Sequence, residues 1–142
     1  MRQTKTIDEV AKEAMTPRNE VNCSGYVRTV ALDLGEYMPE MQANDMVKYL
    51  SKNPSWEQLG NNDMIASEFA AKGYLVIAGI INPHGHGHVA IIVPGRGGKY
   101  AKGYWGSING VKNSGLNKGI NQAWTHPELH EVQFSPSGCQ HW

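Results

Sequence analysis

Only two cysteines, Cys23 and Cys139, and two phenylalanines occur among the 142 residues. Two cysteines close at most one intramolecular disulfide, which excludes a disulfide-stapled scaffold. An excess of charge of one sign is also missing, since thirteen Lys and Arg offset thirteen Asp and Glu. That balance gives no steering toward nucleic acid or an anionic membrane. The longest apolar run, Tyr74 to Ile81, has eight residues and includes Gly79. A bilayer-spanning helix needs about 20, so no membrane insertion is expected. Met1-Arg2-Gln3-Thr4-Lys5 leads into a charged stretch and not into the apolar core of a signal peptide. The expectation is a chain that starts in the cytoplasm and, if it leaves, does so without a cleaved signal. The length fits one domain, 1–142, with a real core, and neither an internal repeat nor a dividing linker is present.

What is there begins with helices. Thr6-Ile7-Asp8-Glu9 fits a capping box, and Ile7, Val10, Ala11, Ala14 and Met15 recur at helical spacing until Pro17 ends the run. A second helix is predicted from about Cys23 to Leu34, with Asn22 as cap and Gly35 as stop. Cys23, Val27, Val30 and Leu34 share its buried face, with the thiol at the rim. Asn44 is expected to cap a third helix carrying Met46, Val47 and Leu50, which stops before Pro54. A fourth spans about Asp63 to Lys72 on Met64, Ile65 and Phe69.

The period then changes. Tyr74 to Ile81 and His88 to Val93 are short, rich in β-branched residues, and read as strands buried on both faces. Pro94 to Gly98 reads as a turn, Tyr100 to Ile108 as a strand, and Asn109 to Gly119 as a polar, glycine-rich loop. Gly119 to Trp124 reads as a short helical turn and Glu131 to Phe134 as a last strand. Helices first and strands afterwards predict an α+β fold, with helices packed on a mostly antiparallel sheet. The four tryptophans, Trp56, Trp105, Trp124 and Trp142, are expected in packing roles.

The chemistry-bearing residues lie where these elements begin. A thiol in the first turn of a helix feels the macrodipole, which favours the thiolate, and a neighbouring imidazole favours it further. Ser24 and Gly25 leave room for a substrate, and the backbone N–H of Cys23 is a candidate oxyanion donor. The plain alternatives are an inert buried thiol or one disulfide to Cys139. The tail around Cys139 differs so much from the helix start at Cys23 that a free thiol is expected. His88 opens the strand and shares a face with Ala90 and Ile92, so it meets Cys23 if that face packs on helix 23–34. Gly87 keeps the approach open. His84, His86 and His88 alternate, and an extended chain would put all three on one side as zinc ligands. Gly85 and Gly87 argue against regular extension, and no carboxylate follows closely. No metal and no cofactor are therefore expected.

Asn22-Cys23-Ser24-Gly25-Tyr26-Val27 and Gly87-His88-Val89-Ala90-Ile91-Ile92-Val93 resemble the two signatures of the NlpC/P60 papain-like cell-wall peptidases. With Met41 to Val47, Gly73 to Gly79, and Trp105-Gly106-Ser107-Ile108, the chain is also similar to the type VI secretion amidase effectors. The likeness covers roughly residues 20 to 125. It implies a papain-like fold and an antibacterial toxin, delivered by the type VI machinery to the periplasm of a recipient cell. The substrate implied is the peptidoglycan stem peptide, at the γ-D-glutamyl–meso-diaminopimelate amide, and a cognate immunity protein is the implied partner. By this likeness Cys23 is the nucleophile, His88 the general base and acid, and Asn22, Ser24, Gly25 and Gly87 line the substrate site. The orienting third position should fall near Tyr104 to Ser107, where Ser107 or a backbone carbonyl is the candidate. Some relatives tie their N-terminal helix to the tail by a disulfide; here that helix has no cysteine, so Cys139 is expected unpaired. A monomer is expected. The competing readings are a non-catalytic peptidoglycan-binding module and a zinc hydrolase using His84, His86 and His88.

Overall fold

The computed structural model describes residues 5–107 and 114–141. The helices come first: α1 (Ile7–Glu13), α2 (Pro17–Glu20), α3 (Cys23–Asp33), α4 (Ala43–Lys52) and α5 (Asp63–Ala71). Strands β1 (Tyr74–Ile80), β2 (His88–Gly97), β3 (Tyr100–Trp105) and β4 (Gly115–Gly119) follow. A 3-10 turn at Ile120–Gln122, the short α6 (His126–Leu129) and β5 (Gln133–Gln140) complete the order. The strands form one sheet in the order β4-β3-β2-β1-β5, antiparallel throughout. This is the α+β architecture expected from the sequence. No helix among the described residues is long and apolar enough to cross a membrane.

Caps fix where the helices begin. Thr6 and Glu9 form the reciprocal capping box, and Asn22 accepts the Gly25 N–H at the start of α3. Gly35, at φ 78°, follows the end of α3 in a conformation that favours glycine. Pro17 does not merely end a helix; it is the first residue of α2, where its missing N–H costs nothing. Asn44 is not a cap. Gln42 holds that position without a side-chain bond, and Asn44 bonds the segment before β2 instead. The helix α5 buries the small Ala66 and Ala70; of Met64, Ile65 and Phe69, expected on its core face, only Phe69 packs there and the other two are exposed.

Alternation along the central strands sorts side chains into two cores. Leu75 and Ile77 of β1 and Val89, Ile91 and Val93 of β2 pack with α1, α3 and α4. Val76, Ala78 and Ile80, with Ala90 and Ile92, pack with α5, Trp105, Trp124 and Phe134. Both faces are covered, which is why these strands read as continuous apolar runs. Tyr26 is fully buried in the first core, and its hydroxyl donates to the Ala11 carbonyl at 2.6 Å. That bond removes the cost of an orphaned polar group.

Several strand boundaries moved. The pairing of β2 with β3 continues past Pro94 through an irregularity between Val93 and Arg96, so most of the expected turn lies in the strand and the chain reverses at Gly98 and Lys99. Within the expected loop 109–119, residues 115–119 form β4, and 108–113 lie outside the described residues. β5 runs on to Gln140 because it is held from both sides. One side is β1. The other is the segment from Ser55 to Gly60, through Glu57 N–H to Pro136 O, Leu59 N–H to Phe134 O and Gly138 N–H to Ser55 O.

Candidate active site

Three chain segments meet at the start of α3. Asn22, in extended backbone, accepts the Gly25 N–H at 3.0 Å and the Ser24 hydroxyl at 3.2 Å. The Cys23 N–H donates to the Ser107 carbonyl at 3.1 Å, and the Ser107 N–H donates to the Glu20 carbonyl at 2.8 Å. The end of β3 thus clamps the α2–α3 junction. Gly106 allows that approach, because a Cβ there would lie 2.2 Å from the Asn19 carbonyl oxygen and 3.0 Å from that of Asn22. The expectation that the Cys23 N–H is a free oxyanion donor is therefore corrected: Ser107 takes it. The Gly25 N–H is taken by the Asn22 side chain, whereas the Ser24 N–H has no oxygen acceptor among the described residues and faces the Cys23 sulfur.

Cys23 is 6% exposed, and its sulfur faces the backbone N–H groups of Val89, Ser24 and Cys23 itself. Burial pushes the thiol pKa up and outweighs these three donors, which pull it down. The expected depression toward a standing thiolate is not the resting state here. Both cysteines are free, Cys23 buried and Cys139 exposed.

His88 is 1% exposed, and burial pushes its pKa down to about 4, with Glu128 opposing. The imidazole is neutral near pH 7. It packs edge-on against Trp124, ring centres 5.4 Å apart, on the sheet face of Ala90 and Ile92. Cys23 packs with the other face. Neither imidazole nitrogen, nor the Trp124 indole nitrogen, has a hydrogen-bond partner among the described residues. The structure thus brings the thiol to the start of β2, against the Val89 N–H, but does not join it to the imidazole. Nor does Ser107 hold the imidazole; its carbonyl accepts the Cys23 N–H.

The other anticipated residues gather around the thiol. Asn22, Ser24, Gly25 and Gly87 line one groove with Cys23, about 1510 Å³ in volume. A cavity of about 240 Å³ on the far side of the strand is lined by His88, Trp124 and Glu128. His84 and His86 are exposed, and no three His, Cys, Asp or Glu groups among the described residues are placed to share a metal ion. The alternating histidines therefore do not form the three-ligand set of the zinc reading. Trp56, Trp105 and Trp124 are buried, as a packing role requires. Trp142 lies outside the described residues.

Two contributors escaped the sequence. Asn44 accepts the Asn82 N–H and donates to the carbonyls of Asn82 and Gly85, each at 2.9 Å. It sits so close to Gly87 that a Cβ there would lie 2.3 Å from its side-chain oxygen. Arg28 lines the groove with its Nε bonded to the Met38 carbonyl at 3.0 Å.

No family model matches the chain. It is 38% identical over 125 residues to the peptidoglycan amidase Tse1 of Pseudomonas aeruginosa, covering 85% of this chain and 77% of that protein. The chain belongs to the family of peptidoglycan amidase Tse1. The extent of that match means the family likeness takes in the cysteine-bearing helix and the central strands together. The NlpC/P60 likeness rests on the two motifs alone.

Proposed function

We propose that the chain hydrolyses an amide bond in peptidoglycan stem peptides, with Cys23 as nucleophile and His88 as general base and acid. The observation that carries this reading is a single thiol at a helix N-terminus, opening on a peptide-sized groove and touching the residue that follows His88. Membership in the Tse1 family, whose namesake is a peptidoglycan amidase, supports the substrate class.

The chemistry follows from two neutral groups. The His88 Cα is two bonds from the Val89 nitrogen that faces the sulfur, but its ring lies on the Trp124 face, so the backbone at the start of β2 has to turn as substrate binds for the imidazole to reach the thiol. Catalytic hydrogen bonds are commonly unformed before substrate binds. The imidazole takes the thiol proton as sulfur bonds to the amide carbon, and the oxyanion accepts from the Ser24 N–H. The imidazolium returns that proton to the departing amine. Water then attacks the thioester with the imidazole again as base, releasing the acid and restoring the thiol. Ser107 serves by positioning Cys23. The step calls for no cofactor.

The finer reading is an antibacterial toxin of one catalytic domain, acting as a monomer. It cuts the γ-D-glutamyl–meso-diaminopimelate bond in the periplasm of a recipient cell, after delivery by a type VI machine. A cognate immunity protein would cover the groove. Digestion of purified peptidoglycan, with mass spectrometry of the new amino and carboxyl ends, tests the bond. New ends at γ-D-glutamate and diaminopimelate, absent with Cys23→Ala, are expected. Binding to peptidoglycan without any new ends would leave a binding module in place of an enzyme.

A further inference from the structure

Charge in the groove is uneven although the chain as a whole is neutral. Arg18, Arg28 and Lys48 line it against Glu40 and Asp45. Arg28 is the cation held in place. It is half-buried, its Nε donates to the Met38 carbonyl, and its guanidinium forms no ion pair among the described residues. A backbone carbonyl orients the fork without neutralising it. The two terminal nitrogens therefore remain for a planar, bidentate anion, which is the geometry of a carboxylate.

Position on α3 ties this cation to the reaction. Arg28 stands four residues after Ser24, on the same helix face, and about 7.5 Å along the axis from Cys23 at 1.5 Å per residue. Most acyl donors carry no carboxylate near the scissile carbonyl, but a glutamyl residue does in either linkage, and the γ-linked form presents its α-carboxylate. In the γ-linked donor of the amidase reading, the α-carboxylate carbon lies four carbon–carbon bonds from the attacked carbon, about 5 Å when extended. With the reach of the arginine side chain, one residue can offer its carbonyl to Cys23 and its carboxylate to Arg28.

We infer that Arg28 is the specificity residue of this groove, pairing with the free α-carboxylate of a γ-linked acyl donor. This rests on the amidase reading and narrows its substrate. Arg28 touches no reacting atom, and its contact is the same in the bound and transition states. Its loss therefore falls on KM more than on kcat.

The test uses two synthetic peptides, L-alanyl-γ-D-glutamyl-meso-diaminopimelate and the same peptide amidated at the glutamate α-carboxylate. Wild-type protein should cleave the free acid with kcat/KM about 10- to 100-fold higher, the range for a hydrogen bond to a charged group. Arg28→Gln should bring that ratio to within about threefold of one, and Arg28→Lys should keep a reduced preference as a point charge without the fork. Calorimetric titration of Cys23→Ala protein with both peptides reads the same preference without turnover. Equal cleavage of the two peptides by wild type, or a preference that survives Arg28→Gln, overturns the assignment. A wild-type protein that cleaves neither peptide nor intact peptidoglycan overturns the amidase reading itself, and this inference with it.

Discussion

Asn44 holds Asn82 by both of that residue's backbone groups, accepting its N–H and donating to its carbonyl at 2.9 Å each, across 38 residues of sequence. A third bond at 2.9 Å reaches Gly85. One side chain on α4 therefore sets the course of the loop that delivers His88 to the sheet.

Replacing Asn44 by Ala removes these bonds without touching Cys23 or His88. The expected cost is about 1–2 kcal/mol, the scale of exposed hydrogen bonds lost together. Hydrogen exchange should rise across residues 82–87 first, and turnover should fall about tenfold. Exchange unchanged in that loop would show that other contacts hold it.

Cys23→Ala should abolish hydrolysis, by a factor on the order of 10⁶ as for other activated nucleophiles, while Cys139→Ser should retain near-full activity. Because Cys23 is buried and Cys139 exposed, iodoacetamide should label Cys139 first in the free protein. A Cys23–Cys139 bridge in active protein would sink the mechanism, since a bonded sulfur cannot attack.

The three alternating histidines should respond unequally. His88→Ala should remove most activity, whereas His84→Ala and His86→Ala, both exposed, should change it less than about threefold, in line with surface substitutions. A chelator should have no effect on the wild type. Equal losses at all three positions with chelator sensitivity would replace the Cys–His pair with a metal site.

His88 should make stability depend on pH. Its folded pKa of about 4 lies below the ordinary 6.5, so above pH 6.5 it is neutral in both states and its environment is undisturbed. Between pH 6.5 and 4 the unfolded chain takes up a proton that the folded chain refuses, and stability falls as pH falls. Below about 4 both forms are protonated and the loss levels off at about 3 kcal/mol. Denaturation of wild type and His88→Leu at pH 7 and pH 4.5 isolates this contribution, because surface carboxylates affect both alike. Equal losses would show that the imidazole is not buried neutral.

Gly106→Ala should destabilise by about 1–3 kcal/mol, the usual cost of overpacking, since its Cβ would meet the Asn19 carbonyl oxygen at 2.2 Å. Relief by backward movement of β3 would lengthen the Cys23–Ser107 bond, so activity should fall too. A urea midpoint equal to wild type would show that the junction has slack.

The local structure around the candidate site was legible because Cys23 and His88 sit at element boundaries. Asn22 before a helical apolar pattern marks the cap that starts the helix at Cys23, and the switch to a two-residue period marks the strand at His88. Which face of that strand meets α3 was not legible. Val89, Ile91 and Val93 are as apolar as Ala90 and Ile92, so alternation separates two sets without saying which helix each will meet. Asn44 misled for a related reason: the same amide that suits a helix cap also suits a clamp on distant backbone. Arg28 gave no signal because its anchor, the Met38 carbonyl, is a backbone group in an unpatterned connection.

The segment from Ser55 to Gly60 that bonds to β5 also bears on how copies of this molecule behave when concentrated. A bare outer strand is a template on which another chain can add its own, and repeated addition builds fibres. Here that margin is already occupied by the chain's own backbone at Glu57, Leu59 and Gly60. Growth of a shared sheet from this side would first require the segment to peel away.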